Sequence, residues 1–103
     1  MPAIDPNVVT DLKTRHPDID LYALDTSAGA IVFRPPSRVA WKRFQALSGK
    51  PEAVEALACD CVLFPDRAGF QAMLERAPGI VVPITTKLVE YAGALEKAEA
   101  EKL

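Results

Sequence analysis

The sequence predicts an α+β fold, mostly α: an N-terminal short helix and β-hairpin, followed by about four short-to-medium helices. Three observations carry this. Nine prolines divide the 103 residues into short windows, too short for long helices. One run, Ala30-Ile31-Val32-Phe33, is rich in β-branched and aromatic residues and ends at Pro35-Pro36. After it, apolar residues recur at the three-to-four-residue spacing of amphipathic helices almost to the end. The length suits one domain. Its expected parts are an N-terminal arm with a short helix (1–18), a hairpin (19–34), a helical part (37–98) and a frayed tail (99–103).

Pro2, Pro6 and Pro17 bracket one helical window, Asn7 to Arg15, with Asp5 as its cap and Pro6 at the first helical position. Val8, Val9 and Leu12 form its apolar side. His16 precedes a proline and is read as an exposed residue near a helix end.

In the hairpin, Ile19, Leu21 and Ala23 alternate, imperfectly, with Asp20, Tyr22 and Leu24. Asp25-Thr26-Ser27-Ala28-Gly29 is turn chemistry, because Asp and Ser bond their own backbone and Gly accepts positive φ. A lone two-stranded hairpin is marginal in water. It must lie against helices, or gain strands from a partner or another copy, and its free edge invites strand addition.

Pro35 and Pro36 end the strand, and Ser37 is a good N-cap. In the helix that follows, Ala40, Phe44 and Leu47 share one face, Arg38, Lys42 and Gln45 the opposite one, and Trp41 lies on the flank. Ser48-Gly49 closes the helix. A second helix restarts at Lys50-Pro51-Glu52, with Val54, Leu57, Ala58 and Cys61 inward and Cys59 toward water. Val62-Leu63-Phe64 is apolar all round, so this helix end is expected deep in the core, stopped by Pro65. Asp66 caps a third helix whose stripe is Phe70, Met73, Leu74 and Ala77, ended by Pro78-Gly79. The last helix begins near Ile80, tolerates Pro83 in its first turn, and carries the stripe Ile84, Leu88, Tyr91 and Leu95. The final EKAEAEKL has little to bury and is expected to fray or project.

Composition narrows the function classes. Half the residues are hydrophobic, a quarter are charged, and the net charge is −2. This disfavours whole-molecule attraction to nucleic acid or anionic membrane. No run approaches the ~18 apolar residues of a membrane span. The opening MPAIDPNVVTDLK has neither the basic nor the apolar segment of a signal peptide. A cytoplasmic location is expected. Cys59 and Cys61 would project about 200° apart on a helix, which disfavours a bond between them. Two cysteines and one distant histidine do not make a metal site. Ser27, Ser37 and Ser48 have turn or cap roles, and the carboxylates are spread along helix surfaces. No glycine-rich phosphate loop or zinc-protease motif occurs. The expectation is no enzyme, no cofactor and no metal.

The residues best suited to a partner are Arg34, Arg38, Trp41 and Lys42 around the second proline junction, with Arg43 and Lys50 nearby. The plainer reading is a solvated basic face with a core tryptophan. The functional reading is a docking patch, because Trp and Arg dominate interface hot spots. Val82 and Val89, seven apart and off the main stripe of the last helix, suggest a second, narrow docking stripe.

The order of these motifs resembles the small tail-assembly chaperones and related tail proteins of tailed bacteriophages and prophages. The residues are Ile31-Val32-Phe33-Arg34-Pro35-Pro36-Ser37, then Trp41-Lys42-Arg43-Phe44, then Cys61-Val62-Leu63-Phe64-Pro65. Phe70 through Ala77 with Pro78-Gly79 follow, and then Leu88-Val89-Glu90-Tyr91-Ala92-Gly93. The likeness spans roughly residues 19 to 95. It implies a binding protein of virion morphogenesis. Such chaperones coat the tape measure protein, help tail tube subunits gather on it, and leave before the virion is finished. In some phages a frameshift adds a second domain. The family has no catalytic residue to carry over. The expected partners are therefore the tape measure protein and the tail tube protein, with a homo-oligomer through the hairpin edge. Two other readings stand beside it: a phage structural tail or connector subunit, and a small nucleic-acid or regulatory module using the basic face.

Overall fold

In the computed structural model, which describes residues 4–94 and 100–103, the prolines from Pro6 to Pro78 stand at or beside element boundaries, while Pro83 lies in the first turn of the last helix. Helix α1 is Pro6–Arg15, strands β1 and β2 are Tyr22–Thr26 and Gly29–Phe33, and helices α2 and α3 are Arg38–Ala46 and Glu52–Cys61. A third strand β3, Val62–Phe64, precedes helix α4, Arg67–Arg76; a 3-10 turn, Pro78–Ile80, leads into helix α5, Val81–Tyr91. The fold is α+β and mostly α.

The caps fix the helix starts. The Asp5 carboxylate accepts the Asn7 N–H at 2.8 Å, Ser37 Oγ accepts the Ala40 N–H at 3.1 Å, and Asp66 Oδ1 accepts the Gly69 N–H at 2.8 Å. Each satisfies one of the donors that a helix start leaves without an intrahelical partner. Gly49, at φ +86°, follows the end of α2, where the Lys50 N–H donates to the Leu47 carbonyl at 2.9 Å.

The hairpin is tighter than its turn residues suggest. Asp25 pairs with Ala30 and Thr26 with Gly29, which leaves only Ser27-Ala28 as the loop. Gly29 takes φ +132°, and Thr26 Oγ1 accepts the Ala28 N–H at 3.2 Å and donates to the Gly29 carbonyl. The register decides between the two alternating sets. Tyr22 stands opposite Phe33 and Leu24 opposite Ile31, so Tyr22 and Leu24 pack on the core while Ala23 is exposed.

The end of α3 departs from expectation. The helix stops at Cys61, and Val62-Leu63-Phe64 is an extended strand, half-buried, not a helix end deep in the core. β3 pairs antiparallel with β2, Val32 with Phe64 and Phe33 with Val62, giving the sheet order β1-β2-β3. The cause is the far edge of β2. Its buried backbone groups need partners, and a β-branched and aromatic tripeptide supplies them better than another helical turn would. The Arg34 N–H continues the ladder to the Cys61 carbonyl at 3.0 Å. The hairpin thus takes its third strand from its own chain.

Ile31 and Phe33 face the helices, and the core closes over them with Leu57, Ala58 and Cys61 of α3, Phe70 and Met73 of α4, and Ile84 and Leu88 of α5. Fully burying a side chain such as Phe33 or Leu88 contributes roughly 2 kcal/mol. Tyr91 closes one end: it stacks on Tyr22 at 4.3 Å between ring centres and lies 5.9 Å from Phe33. Leu95, expected next on that stripe, and the first half of the expected fraying segment lie outside the described residues. Residues 100–103 have no regular structure.

Candidate functional site

Helix α2 buries Ala40 and leans Phe44 on the core, so the positions one and two after Ser37 turn outward. Arg38 and Lys42, one turn apart, are exposed, and no ion pair among the described residues involves either. Trp41 is half-buried on the flank, tilted against Phe44 with ring centres 5.3 Å apart. Part of its surface is left to solvent.

The structure splits the basic cluster. Arg43 Nη1 donates to both oxygens of Asp60 on α3, at 3.0 and 3.3 Å, and this pair staples α2 to α3. Arg34 is half-buried, and its Nε donates to the Pro35 carbonyl at 3.2 Å. Arg38 and Lys42 are the outward cations of the helix. Between them Val39 is 79 % exposed. Val39 is not among the residues singled out by sequence. The signal was present, because a residue 100° round from Arg38 lies far from the Ala40, Phe44 and Leu47 face.

Val82 and Val89 share one direction on α5, two turns apart. Val82 is 65 % exposed and Val89 is half-buried, so the second stripe is carried mainly by Val82. These valines belong to a different helix from Arg38 and Trp41.

A trough runs along the outer side of α3 and α4. Its larger part, about 520 Å³, is lined by Glu55, Gln71, Leu74, Glu75, Pro78 and Val81. A second part of about 360 Å³ shares Glu55 and Gln71 and extends past Glu52 and Cys59 to Arg43 and Arg67. No local spacing marks this trough, because α3 and α4 come together only through tertiary packing.

The thiols are unreactive in character. Burial, with Asp60 adding to it, pushes the Cys61 thiol up to about 12, against the smaller opposing effect of Arg34. Cys59 is raised too, chiefly by burial. Neither is thiolate near neutral pH, so neither is an activated nucleophile. His16 caps α1, with its N–H donating to the Leu12 carbonyl at 2.9 Å. It is half-buried rather than exposed, in a hollow with Lys13, Ile19, Asp20 and Tyr22. Among the described residues there is no group of three or more His, Cys, Asp or Glu side chains placed to hold a metal ion. No helix among them is long and apolar enough to cross a membrane. What this surface offers is a short helix with an apolar and cationic outer face.

The chain is matched by the model of a family described as a domain of unknown function. It belongs to DUF6848, whose family model matches residues 23–101. Among solved structures it is similar to rbstp2171, an uncharacterised protein from Bacillus stearothermophilus. The TM-score is 0.72 at 20 % identity, covering 90 % of this chain and 99 % of that one. At that identity the likeness speaks for the fold alone. No curated protein matches the chain.

Proposed function

We propose that the protein is a non-catalytic tail-assembly chaperone of a tailed bacteriophage or prophage, acting in the bacterial cytoplasm by transient binding. Its clients are the tape measure protein and, with it, tail tube subunits. The observation that supports this reading best is the outer face of α2. An exposed Val39 and a half-buried Trp41 flank two cations, Arg38 and Lys42, that have no ion pair among the described residues. Aromatic and cationic groups around an apolar centre are the anchors from which protein interfaces draw most of their affinity. The order of motifs from Ile31 to Gly93 supplies the tail-assembly part of the reading. Arg34 contributes at the base of the face, and Val82 with Val89 offers a secondary contact on α5.

The test is affinity purification of the tagged chain from cells expressing the neighbouring genes, with mass spectrometry of what co-elutes. Recovery of a long helical tape measure chain is the expected result. Finding the protein instead as a stoichiometric component of finished particles would overturn the chaperone reading in favour of a structural tail subunit. Recovery of nucleic acid that salt removes would overturn it in favour of a nucleic-acid module.

A further inference from the structure

We propose that the chain pairs with a second copy of itself, the outer face of α2 in each copy seating in the trough between α3 and α4 of the other. Two surfaces of opposite sign carry this. Helix α2, RVAWKRFQA, holds three cations and no acid in a chain whose net charge is −2. Arg43 is already held by Asp60, so Arg38 and Lys42 are left facing outward with Val39 beside them. The trough is acidic on balance, three glutamates against Arg67 and the Asp60-held Arg43 at one end. Glu52 and Glu55 stand one turn apart on α3, Glu75 stands on α4, and Leu74 forms an apolar wall.

The spacings are close enough for the charges to meet. Arg38 and Lys42 are separated by about 6 Å of helix rise, Glu52 and Glu55 by about 4.5 Å, both within the reach of long side chains. Exposed ion pairs contribute little affinity each but set register and partner choice. Burial of Val39 against Leu74 adds an apolar contact. The two surfaces also adjoin, since Arg43 of α2 lines one end of the trough. A two-fold axis between copies therefore makes the same contact twice, as in the self-complementary dimers that dominate homo-oligomers.

The pairing covers the face assigned above to the client. Self-association is then a resting state that a client displaces, and the sticky face is not left open to solvent. The proposal concerns the purified chain alone and does not depend on which client binds.

The test is sedimentation of the full chain over a concentration series. The wild type is expected to shift from one to two chain masses as concentration rises, and added salt shifts the midpoint upward. Arg38→Glu with Lys42→Glu stays at one mass, as does Glu52→Lys with Glu55→Lys. Mixed together, the two variants regain the dimer, because both contacts are again of opposite sign. If either charge reversal impairs folding by circular dichroism, the milder Arg38→Gln with Lys42→Gln and Glu52→Gln with Glu55→Gln are expected to weaken pairing at least tenfold. A wild type that stays monomeric overturns the proposal, and so does a mixture that fails to pair. Dimers that survive both reversals also overturn it, and locate the contact elsewhere, such as the outer edge of β1.

Discussion

Ser37 stands at the point where the chain turns from sheet to helix. Its hydroxyl accepts the Ala40 N–H and has no substitute in the proline-rich segment before it. Ser37→Ala is expected to lower stability by about 1 kcal/mol, measured by urea unfolding, with no change in secondary structure. Thr85 poses the opposite case. It is 8 % exposed, and its hydroxyl is buried without a hydrogen-bond partner among the described residues. Thr85→Val keeps the shape and removes the unpaired oxygen, so it is expected to raise stability by about 1 kcal/mol. A loss on the same unfolding curve would mean that the hydroxyl has a partner. The cysteines predict a pH dependence of definite sign. Cys61 is raised to about 12 in the folded state from the ordinary value of 9.0. The folded chain therefore holds a proton that the unfolded chain releases between those values. The stabilisation is fully present below pH 9 and is lost as pH rises toward 12. Thiol labelling at neutral pH is expected to modify Cys61 only under denaturing conditions.

At the scale of elements, the helix starts were readable because capping is local. Asp5, Ser37 and Asp66 each lie within three residues of the N–H they accept. Strand β3 was not readable from its neighbours. Val62-Leu63-Phe64 continues an apolar pattern from Cys61, and a short apolar run fits a buried helix end as well as a strand. What decides it is the partner strand some thirty residues earlier, Val32 with Phe64, a contact that local spacing does not encode. The same limit applies to Tyr91. Its place on the α5 stripe was legible, while its stacking on Tyr22 across the sequence was not. Gly69 shows an element junction at close quarters. A Cβ there would lie 2.9 Å from Pro65 Cβ and 3.0 Å from Asp66 Oδ1. Gly69→Ala gains about 1 kcal/mol of helix propensity, but it forces the capping loop away. The expected net result is a lower thermal midpoint, whereas a rise would show that the loop yields freely.

At the scale of the whole molecule, the helices of the described residues pack around one small sheet and leave α2 with an outward face. The basic cluster was legible as a group of residues, and Arg38, Trp41 and Lys42 do lie together on α2. Its division into a structural half and an open half was not legible, because the Arg43–Asp60 pair joins residues 17 apart in sequence. The α3–α4 trough was likewise invisible before folding. The two proposals separate cleanly in variants. Glu52→Lys with Glu55→Lys is expected to abolish self-pairing while leaving client capture intact. Arg38→Glu with Lys42→Glu is expected to abolish both.

On the proposed function, α2 presents its outer face to a tail-assembly client. Its most direct test is the amount of tape measure protein retained by immobilised wild-type chain and by the folded Arg38→Glu, Lys42→Glu variant, side by side. Retention by the wild type and a loss of at least tenfold in the variant are expected. Equal retention by both would contradict that reading, and would place the client on another surface of the fold.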